Sequence, residues 1–336
     1  MTMTNPKIPL VSKESVEFFA SMFKELDQRS YDLLRKATLP NDIHKETNYL
    51  CLPESSLKNF MEVLGESLEN DRLGIVFLRS CRETFIPKMV GVLTQNQSLK
   101  AALEEFCEVL KQESTGAHVC VENSGGKWWL VRHKSKSDEV WFKYAEMFSV
   151  MFMAELLRVL TSNRWTPTII GIQDSSAEDF KKLPTLGKAT FSVERPVTAL
   201  EIPQPLIDLP INLQSVEQSK LLLGQLDLGE EASYVDQFRL AMRPYLSMGK
   251  LPITLAAQIL RTNVRTLQRK LKKEDRIYQE LIEEMVFDEI KECLTSTDFP
   301  VTQVASQFGY SDSAHFGRSF KRVTGLTPTQ YRAQRA

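Results

Sequence analysis

The sequence of 336 residues predicts an α+β N-terminal domain over residues 1–210, a linker over 211–232, and an all-α C-terminal domain over 233–336 holding two helix-turn-helix units joined by a linker helix. Three observations carry this. Strand-like and helix-like stretches mix before residue 210, whereas only helical spacing follows residue 233. A short pattern repeats within the last hundred residues. Charge is also unevenly divided along the chain. With 42% hydrophobic and 25% charged residues, the composition fits a globular protein of about two domains and excludes disordered and collagen-like chains.

Taken in order, residues 15–37, 53–68, 86–93 and 99–110 show helical apolar spacing. Residues 118–122 and 128–133 flank Asn123-Ser124-Gly125-Gly126, a hairpin signal. A long helix is predicted over 142–160, then strands at 168–172 and 189–193, before the Pro-rich stretch 196–210. The apolar stretch 145–160 is interrupted by Glu146, Glu155 and Arg158, so it reads as a buried or amphipathic helix and not as a membrane span. Residues 1–10 lack an apolar run behind basic residues, which predicts no secretory signal and a cytoplasmic location. The five cysteines, Cys51, Cys81, Cys107, Cys120 and Cys293, form no Cys-x-x-Cys pair and have no histidine at zinc-ligand spacing. Reduced, mostly buried thiols and no metal site are expected.

In residues 253–271, Ile253, Ala256, Ala257 and Leu260 recur at helical spacing, and Leu267 and Leu271 resume it after a break at Arg261-Thr262-Asn263. Asn263 is suited to cap a second helix starting at Val264, because its side-chain oxygen can accept from an amide of the first turn. That helix would expose Arg265, Gln268, Arg269, Lys272 and Lys273. Arginine can pair bidentately with guanine and glutamine with adenine, while lysines suit phosphates. The same grammar returns over 301–320. Val301, Val304, Ala305 and Phe308 form the first stripe, Gly309 the left-handed turn, and Ser311 the expected cap of a helix through His315, Phe316, Arg318 and Phe320. Ala257 and Ala305 stand 48 residues apart, but Arg269 and Arg318 stand 49 apart, so the second unit holds one extra residue near the start of its reading helix. Between the units, residues 278–294 show helical spacing, long enough to hold the two about 25 Å apart.

Charge sharpens this division. Residues 233–336 hold 16 Lys+Arg and 11 Asp+Glu, a net of +5, and the remainder of the chain carries −6. A basic block behind an acidic one points to a polyanionic partner for the C-terminal domain alone.

The segment GYSDSAHFGRSFKRVTGLTPTQYR over 309–332, with RTLQRKL over 265–271, closely resembles the signature of the AraC/XylS family of bacterial transcription regulators. The resemblance covers about a hundred residues. It implies that Arg265, Gln268 and Arg269 face bases in one major groove and Ser313, His315 and Arg318 in a second, with double-stranded promoter DNA and RNA polymerase as partners; Asn263, Lys272, Lys273, Ser311 and Lys321 complete the candidate DNA-binding set. The sequence departs from the pattern in having Arg261 where the turn often has glycine, Val264 where proline commonly opens the reading helix, and an acidic linker helix (Glu283, Glu284, Asp288, Glu289) where relatives often carry an arginine. The N-terminal domain is similar, more loosely, to the arabinose-binding-type effector domain of the same family. The carriers are LGIVFLRSC (73–81), SLKAAL (98–103) and FSVERPVTALEIP (191–203), followed by Leu206, Asp208 and Pro210. This likeness implies a small-molecule effector of unspecified identity.

Trp128, Trp129, Trp141, Trp165, Arg132 and His133 could line an aromatic pocket, although aromatics at such spacings more often build core, and no ligand residue is assigned. Leu221, Leu222 and Leu223 in the linker offer a packing or partner surface, and a homodimer is plausible. Enzyme motifs are lacking: there is no Gly-x-Gly-x-x-Gly, phosphate loop, Gly-x-Ser-x-Gly or His-Glu-x-x-His, and His44, His118, His133 and His315 are scattered. The expectation is therefore a non-enzymatic, cofactor-free, sequence-specific transcription regulator, with activation favoured, responding to an effector. The alternative is an effector-independent accessory DNA binder whose N-terminal domain mediates protein contacts.

Overall fold

Two glycines start the N-terminal sheet. Gly125 and Gly126 both take positive φ (61° and 74°), the requirement of a two-residue hairpin turn, and join strands His118–Ser124 and Lys127–His133. The computed structural model describes residues 8–26, 30–94, 98–113, 118–211, 232–249 and 251–334. The hairpin continues antiparallel into Thr198–Ile202, which pairs antiparallel with Ile169–Gly171; that strand pairs in parallel with Thr190–Ser192. The α+β class predicted for this part of the chain is observed. The linker residues Leu221, Leu222 and Leu223 fall outside the described residues, as do residues 1–7.

Against the sheet lies the 21-residue helix Val140–Leu160. Its two carboxylates are internal ties. Glu146, wholly buried, accepts from the Gln173 amide (2.7 Å), the Asp174 amide (3.1 Å) and the Thr198 hydroxyl (2.6 Å), three donors that offset the cost of its burial. Glu155 takes Arg82 at 2.7 Å and also Arg158, one turn further along the same helix. No helix among the described residues is long and apolar enough to cross a membrane.

Helix Ser55–Ser67 meets the central helix at Gly65, where an added Cβ would fall 2.2 Å from the Tyr144 ring. An aromatic cluster of Phe18, Phe19, Phe77, Phe85, Phe148 and Phe152 fills the adjoining core. Two predicted helices differ in form. Residues 15–37 break into Lys13–Ser21, a 3-10 turn Met22–Glu25 and Ser30–Lys36. The helix expected at 86–93 is the short tail Ile86–Val90 of Asn70–Ser80, reached through a π-helical turn Cys81–Phe85. Pro87 accounts for this: it has no N–H to give, and its ring would crowd the carbonyl four residues back, which the wider turn avoids.

The chain divides into two units, one of residues 9–39 and 56–226, the other of 1–8, 40–55 and 227–336. In the second unit the helices are Tyr234–Met242, Ile253–Ile259, Val264–Lys272, Tyr278–Ser296, Val301–Gln307, Ser313–Thr324 and Pro328–Ala333. Ser233 and Asp236 form a capping box at the first of these, and Glu274 accepts from the Tyr234 and Val235 amides at 2.8 and 3.0 Å. Short pieces from early in the sequence belong to this unit as well. The Ile8 amide donates to Gln237 at 2.6 Å, and strand Cys51–Pro53 packs on Tyr234–Met242.

Candidate nucleic-acid interface

Both helix-turn-helix units close their first helix in the same way. The Thr262 amide donates to the Ala257 carbonyl at 2.9 Å, and the Tyr310 amide to the Ala305 carbonyl at 2.9 Å. Each is the long backward bond of a Schellman turn, and each needs a left-handed residue just before the donor. Gly309 supplies it at φ 80° in the second unit; in the first, Arg261 is held at φ 46°. The departure noted in the sequence is therefore a real non-glycine residue in left-handed geometry, a conformation costing about 1–2 kcal/mol.

After the turn the two units diverge by one residue. The Asn263 side chain accepts from the Thr266 amide at 2.7 Å and caps Val264–Lys272, as predicted. In the second unit the cap is Asp312, accepting from the Ala314 amide at 2.8 Å, and not Ser311. Ser311 is the extra residue: it prolongs the loop and shifts the cap, and all later equivalences, from an offset of 48 to 49. From there Leu267 and Phe316, and Leu271 and Phe320, fill matching core positions, all fully buried. Phe316 and Phe320 join Phe287, Ile290, Leu294, Val304, Ala305 and Phe308 in one cluster around the linker helix.

Anchoring that face inward sets the opposite face outward. Arg265, Gln268, Arg269, Lys272 and Lys273 on the first reading helix are exposed, as are Asn263 at its cap and Ser311, Ser313, His315, Arg318 and Lys321 in the second unit. Among the described residues, Arg265, Gln268, Arg269, Lys272, Lys273, Arg318 and Lys321 make no side-chain hydrogen bond or ion pair. His315 lies beside the Tyr310 ring, 5.8 Å between centroids. Lys270 turns the other way, over the Tyr234 ring at 4.9 Å; burial, then the charges of Arg269 and Lys273, lowers its pKa. The aligned positions differ in chemistry. Arg269 matches Arg318 and Lys272 matches Lys321, but Arg265 matches Ala314 and Gln268 matches Gly317.

The remaining arginines of this unit behave differently. Arg239 reaches Glu284 at 2.8 Å, and Arg276 holds the same carboxylate. Arg243 pairs with Glu289 (2.5 Å) and Glu292 (2.7 Å), and Arg322 with Glu283 (2.9 Å). Asp288 takes Lys291 at 3.0 Å. Glu283, Glu284, Asp288, Glu289 and Glu292 of the linker helix are thus occupied by cations of the same unit. Arg332, within the C-terminal signature, donates to the carbonyls of Leu294 (3.2 Å) and Phe299 (2.6 Å), and Tyr331 packs edge-on to Phe320. Arg332 thus holds the end of the linker helix and Tyr331 packs on the core cluster, roles that motif reading alone does not separate from ligand contact.

The tryptophans do not converge on a pocket. Trp165 is buried and donates to the Glu201 carbonyl at 2.9 Å; Trp141 is buried, with Lys58 4.9 Å from its ring centroid. Trp128 and Trp129 alternate to opposite faces of the sheet, one beneath Lys100 and the other bonded to the Ser124 carbonyl at 3.3 Å. Arg132 lies 5.9 Å from the Phe142 ring centroid, and His133 pairs with Glu122.

A family model described as a helix-turn-helix domain matches residues 256–334. The ornithine utilization regulator of Pseudomonas aeruginosa is 32% identical over 139 residues, 41% of this chain and 40% of that protein. The transcriptional regulator VirS of Mycobacterium tuberculosis is 29% identical over 136 residues, 40% of each. The chain thus spans about 40% of the length of these relatives, both of which are regulators by name. Among solved structures, the transcriptional regulator CdpR from Pseudomonas aeruginosa aligns over 98% of this chain and 100% of that one at 14% identity, with a TM-score of 0.33. The C-terminal domain of AraT from Geobacillus stearothermophilus aligns over 30% of this chain and 84% of that one at 27% identity, with a TM-score of 0.28.

Proposed function

We propose that the chain is an AraC-type, sequence-specific DNA-binding transcription regulator whose two reading helices enter successive major grooves of one duplex, a reading supported by the helix-turn-helix match over residues 256–334. One observation carries this reading. Among the described residues, Arg265, Gln268, Arg269, Lys272, Lys273, Arg318 and Lys321 are exposed and make no side-chain hydrogen bond or ion pair, whereas Arg239, Arg243, Arg276 and Arg322 are taken up by carboxylates. Arg265, Gln268 and Arg269 read bases in one groove, and Ser313, His315 and Arg318 in the other. Asn263, Lys272, Lys273, Ser311 and Lys321 serve the flanking phosphates. The linker helix has 19 residues and so is about 28 Å long, which suits sites close to one helical turn apart.

Selection of bound duplexes from a randomised pool by the full chain tests this. The expected product is a site of two short elements about one turn apart, with unlike sequences because the aligned side chains differ. Inserting about five base pairs between the elements turns the second groove to the far side of the duplex and is expected to abolish the gain from the second element. No enrichment, or indifference to the insertion, would contradict the two-groove reading.

In this proposal the sheet-bearing unit binds a small-molecule effector and changes DNA contacts or self-association, and promoter-bound protein acts on RNA polymerase, with activation the favoured outcome. The N-terminal resemblance supports the effector. A ligand present at about 100 times its dissociation constant adds about 2.7 kcal/mol of stability, readily seen as a thermal shift. A metabolite panel that shifts nothing favours the accessory DNA binder instead.

A further inference from the structure

Away from the DNA-reading helices, one side-chain cluster carries ligand chemistry that neither the fold nor the proposed function uses. In the hairpin of His118–Ser124 and Lys127–His133, His118, Cys120 and Glu122 alternate onto one face. The ladder pairs His118 with His133, Cys120 with Val131 and Glu122 with Trp129, so His133 shares that face. Glu122 and His133 stand at opposite ends of this run, yet their side chains lean together over Cys120. His133 Nε2 is 2.7 Å from Glu122 Oε1, and Cys120 Sγ donates to the same oxygen at 3.2 Å. The three ligand atoms lie within 4.8 Å of one another.

A tetrahedral zinc-type ion with bonds of roughly 2.0–2.3 Å holds its ligand atoms roughly 3.3–3.8 Å apart, so small rotamer adjustments close this set around a cation. The His118 ring, 5.1 Å from that of His133 between centroids, is within reach of a fourth position. Thiolate, imidazole and carboxylate together suit zinc and its neighbours, whereas calcium and magnesium take oxygen alone. The Glu122 and His133 side chains are 44% and 41% exposed, so an ion reaches them without opening the core. An exposed carboxylate–histidine pair contributes little to stability, and a hairpin closed by two glycines has no need of a thiol drawn into that pair.

We propose that Cys120, Glu122 and His133 bind a zinc-class divalent cation, with His118 in the fourth position. On binding, Cys120 coordinates as the thiolate and its proton passes to solvent, while His133 offers Nε2 with its ring proton on Nδ1; no redox change occurs. Spacing rules miss this site because two ligands are one residue apart on one strand and the third returns across the turn. The assignment does not rest on DNA binding.

Metal-stripped full-length protein titrated with Co2+ is the test. One equivalent is expected to raise a thiolate-to-cobalt charge-transfer band that one equivalent of Zn2+ bleaches. Cys120→Ser should abolish the band, and Glu122→Gln and His133→Gln should each weaken apparent affinity roughly tenfold or more. Cys293→Ser, which alters the other partly exposed thiol, should leave the spectrum unchanged. Circular dichroism checks that each variant keeps its fold. A wild-type chain without the band, a band that survives Cys120→Ser, or one lost in Cys293→Ser overturns the assignment.

Discussion

Arg269 and Arg318 hold equivalent places on the two reading helices, and replacing each with alanine separates base reading from phosphate attraction. Both are exposed and neither makes an ion pair or hydrogen bond among the described residues. Truncation therefore removes nothing that holds the fold, and unfolding should move by no more than about 0.5 kcal/mol. All of the affinity change then belongs to the interface. A bidentate arginine–guanine contact is worth about 1–3 kcal/mol, or about 5- to 140-fold in affinity. That loss should fall on a cognate duplex and largely spare a scrambled one. Lys272 and Lys273 set the contrast. Each phosphate contact contributes about −0.9 to the slope of log affinity against log salt, so the double alanine variant should flatten that slope by about 1.8 on every duplex. Between 50 and 200 mM salt this amounts to about 3.5-fold per contact. Arg322→Ala supplies an internal control, because its guanidinium is engaged by Glu283 at 2.9 Å, and its effect on affinity should be smaller than that of Arg318→Ala. Fluorescence anisotropy over a salt series, on cognate and scrambled duplexes, gives all of these numbers. If Arg269→Ala and Arg318→Ala weaken both duplexes equally and each flattens the slope by about one contact, the two residues touch only phosphate and the assignment of reading positions fails.

Three further outcomes follow from the same geometry. Because Arg261 sits at φ 46°, Arg261→Gly should be about 1–2 kcal/mol more stable than Arg261→Ala in chemical denaturation, since both lose the side chain and only alanine keeps the strain. Asp312→Ala should cost about 0.5–2 kcal/mol by removing the cap, while Ser311→Ala should lie within about 0.5 kcal/mol of wild type; the reverse ranking would return the cap to Ser311. A hydrogen bond from Lys143 holds the Asp179 carboxyl below its usual pKa, outweighing the opposing effect of partial burial. With a folded pKa below the unfolded one, this stabilisation is complete above the unfolded value and disappears as pH falls through the folded one. The stability gap between wild type and Asp179→Asn should therefore narrow on acidification, and a gap that widens contradicts the pairing.

Local signals made much of this fold readable in advance. The hairpin turn, the Asn263 cap and the Gly309 turn each depend on one or two residues whose side-chain or backbone chemistry acts over four positions. The same locality leaves Ser311 and Asp312 hard to separate in sequence: serine and aspartate are both good caps, and the burial of Phe316 and Phe320 determines which turn of the helix faces the core. Tertiary facts lay beyond such reading. Nothing local says that residues 40–55 belong with the C-terminal unit, or that Glu122 and His133 meet over Cys120 from the two ends of a hairpin. The tryptophans are an intermediate case, since the alternation of a strand already sends Trp128 and Trp129 to opposite faces.

The acidic linker helix is where sequence charge alone misleads most. Glu283, Glu284 and Glu289 on the helix joining the two helix-turn-helix units suggest repulsion from a duplex. In the folded unit each of the three holds an arginine, and Glu292 shares the one that Glu289 holds. These pairs are partly exposed and each contributes at most about 1 kcal/mol, so their value lies less in stability than in where they leave the uncompensated charge. Carboxylates engage Arg239, Arg243 and Arg276 off the reading helices and Arg322 on the second of them, and leave uncompensated charge on Arg265, Arg269, Lys272, Lys273, Arg318 and Lys321. The net of +5 over residues 233–336 therefore understates the contrast between the reading helices and the rest of the unit. It follows that Glu283→Gln, by releasing Arg322, should raise affinity for scrambled DNA more than for the cognate site and so lower the specificity ratio. A variant that binds both duplexes as the wild type does would show that the pairing has no part in distributing the charge.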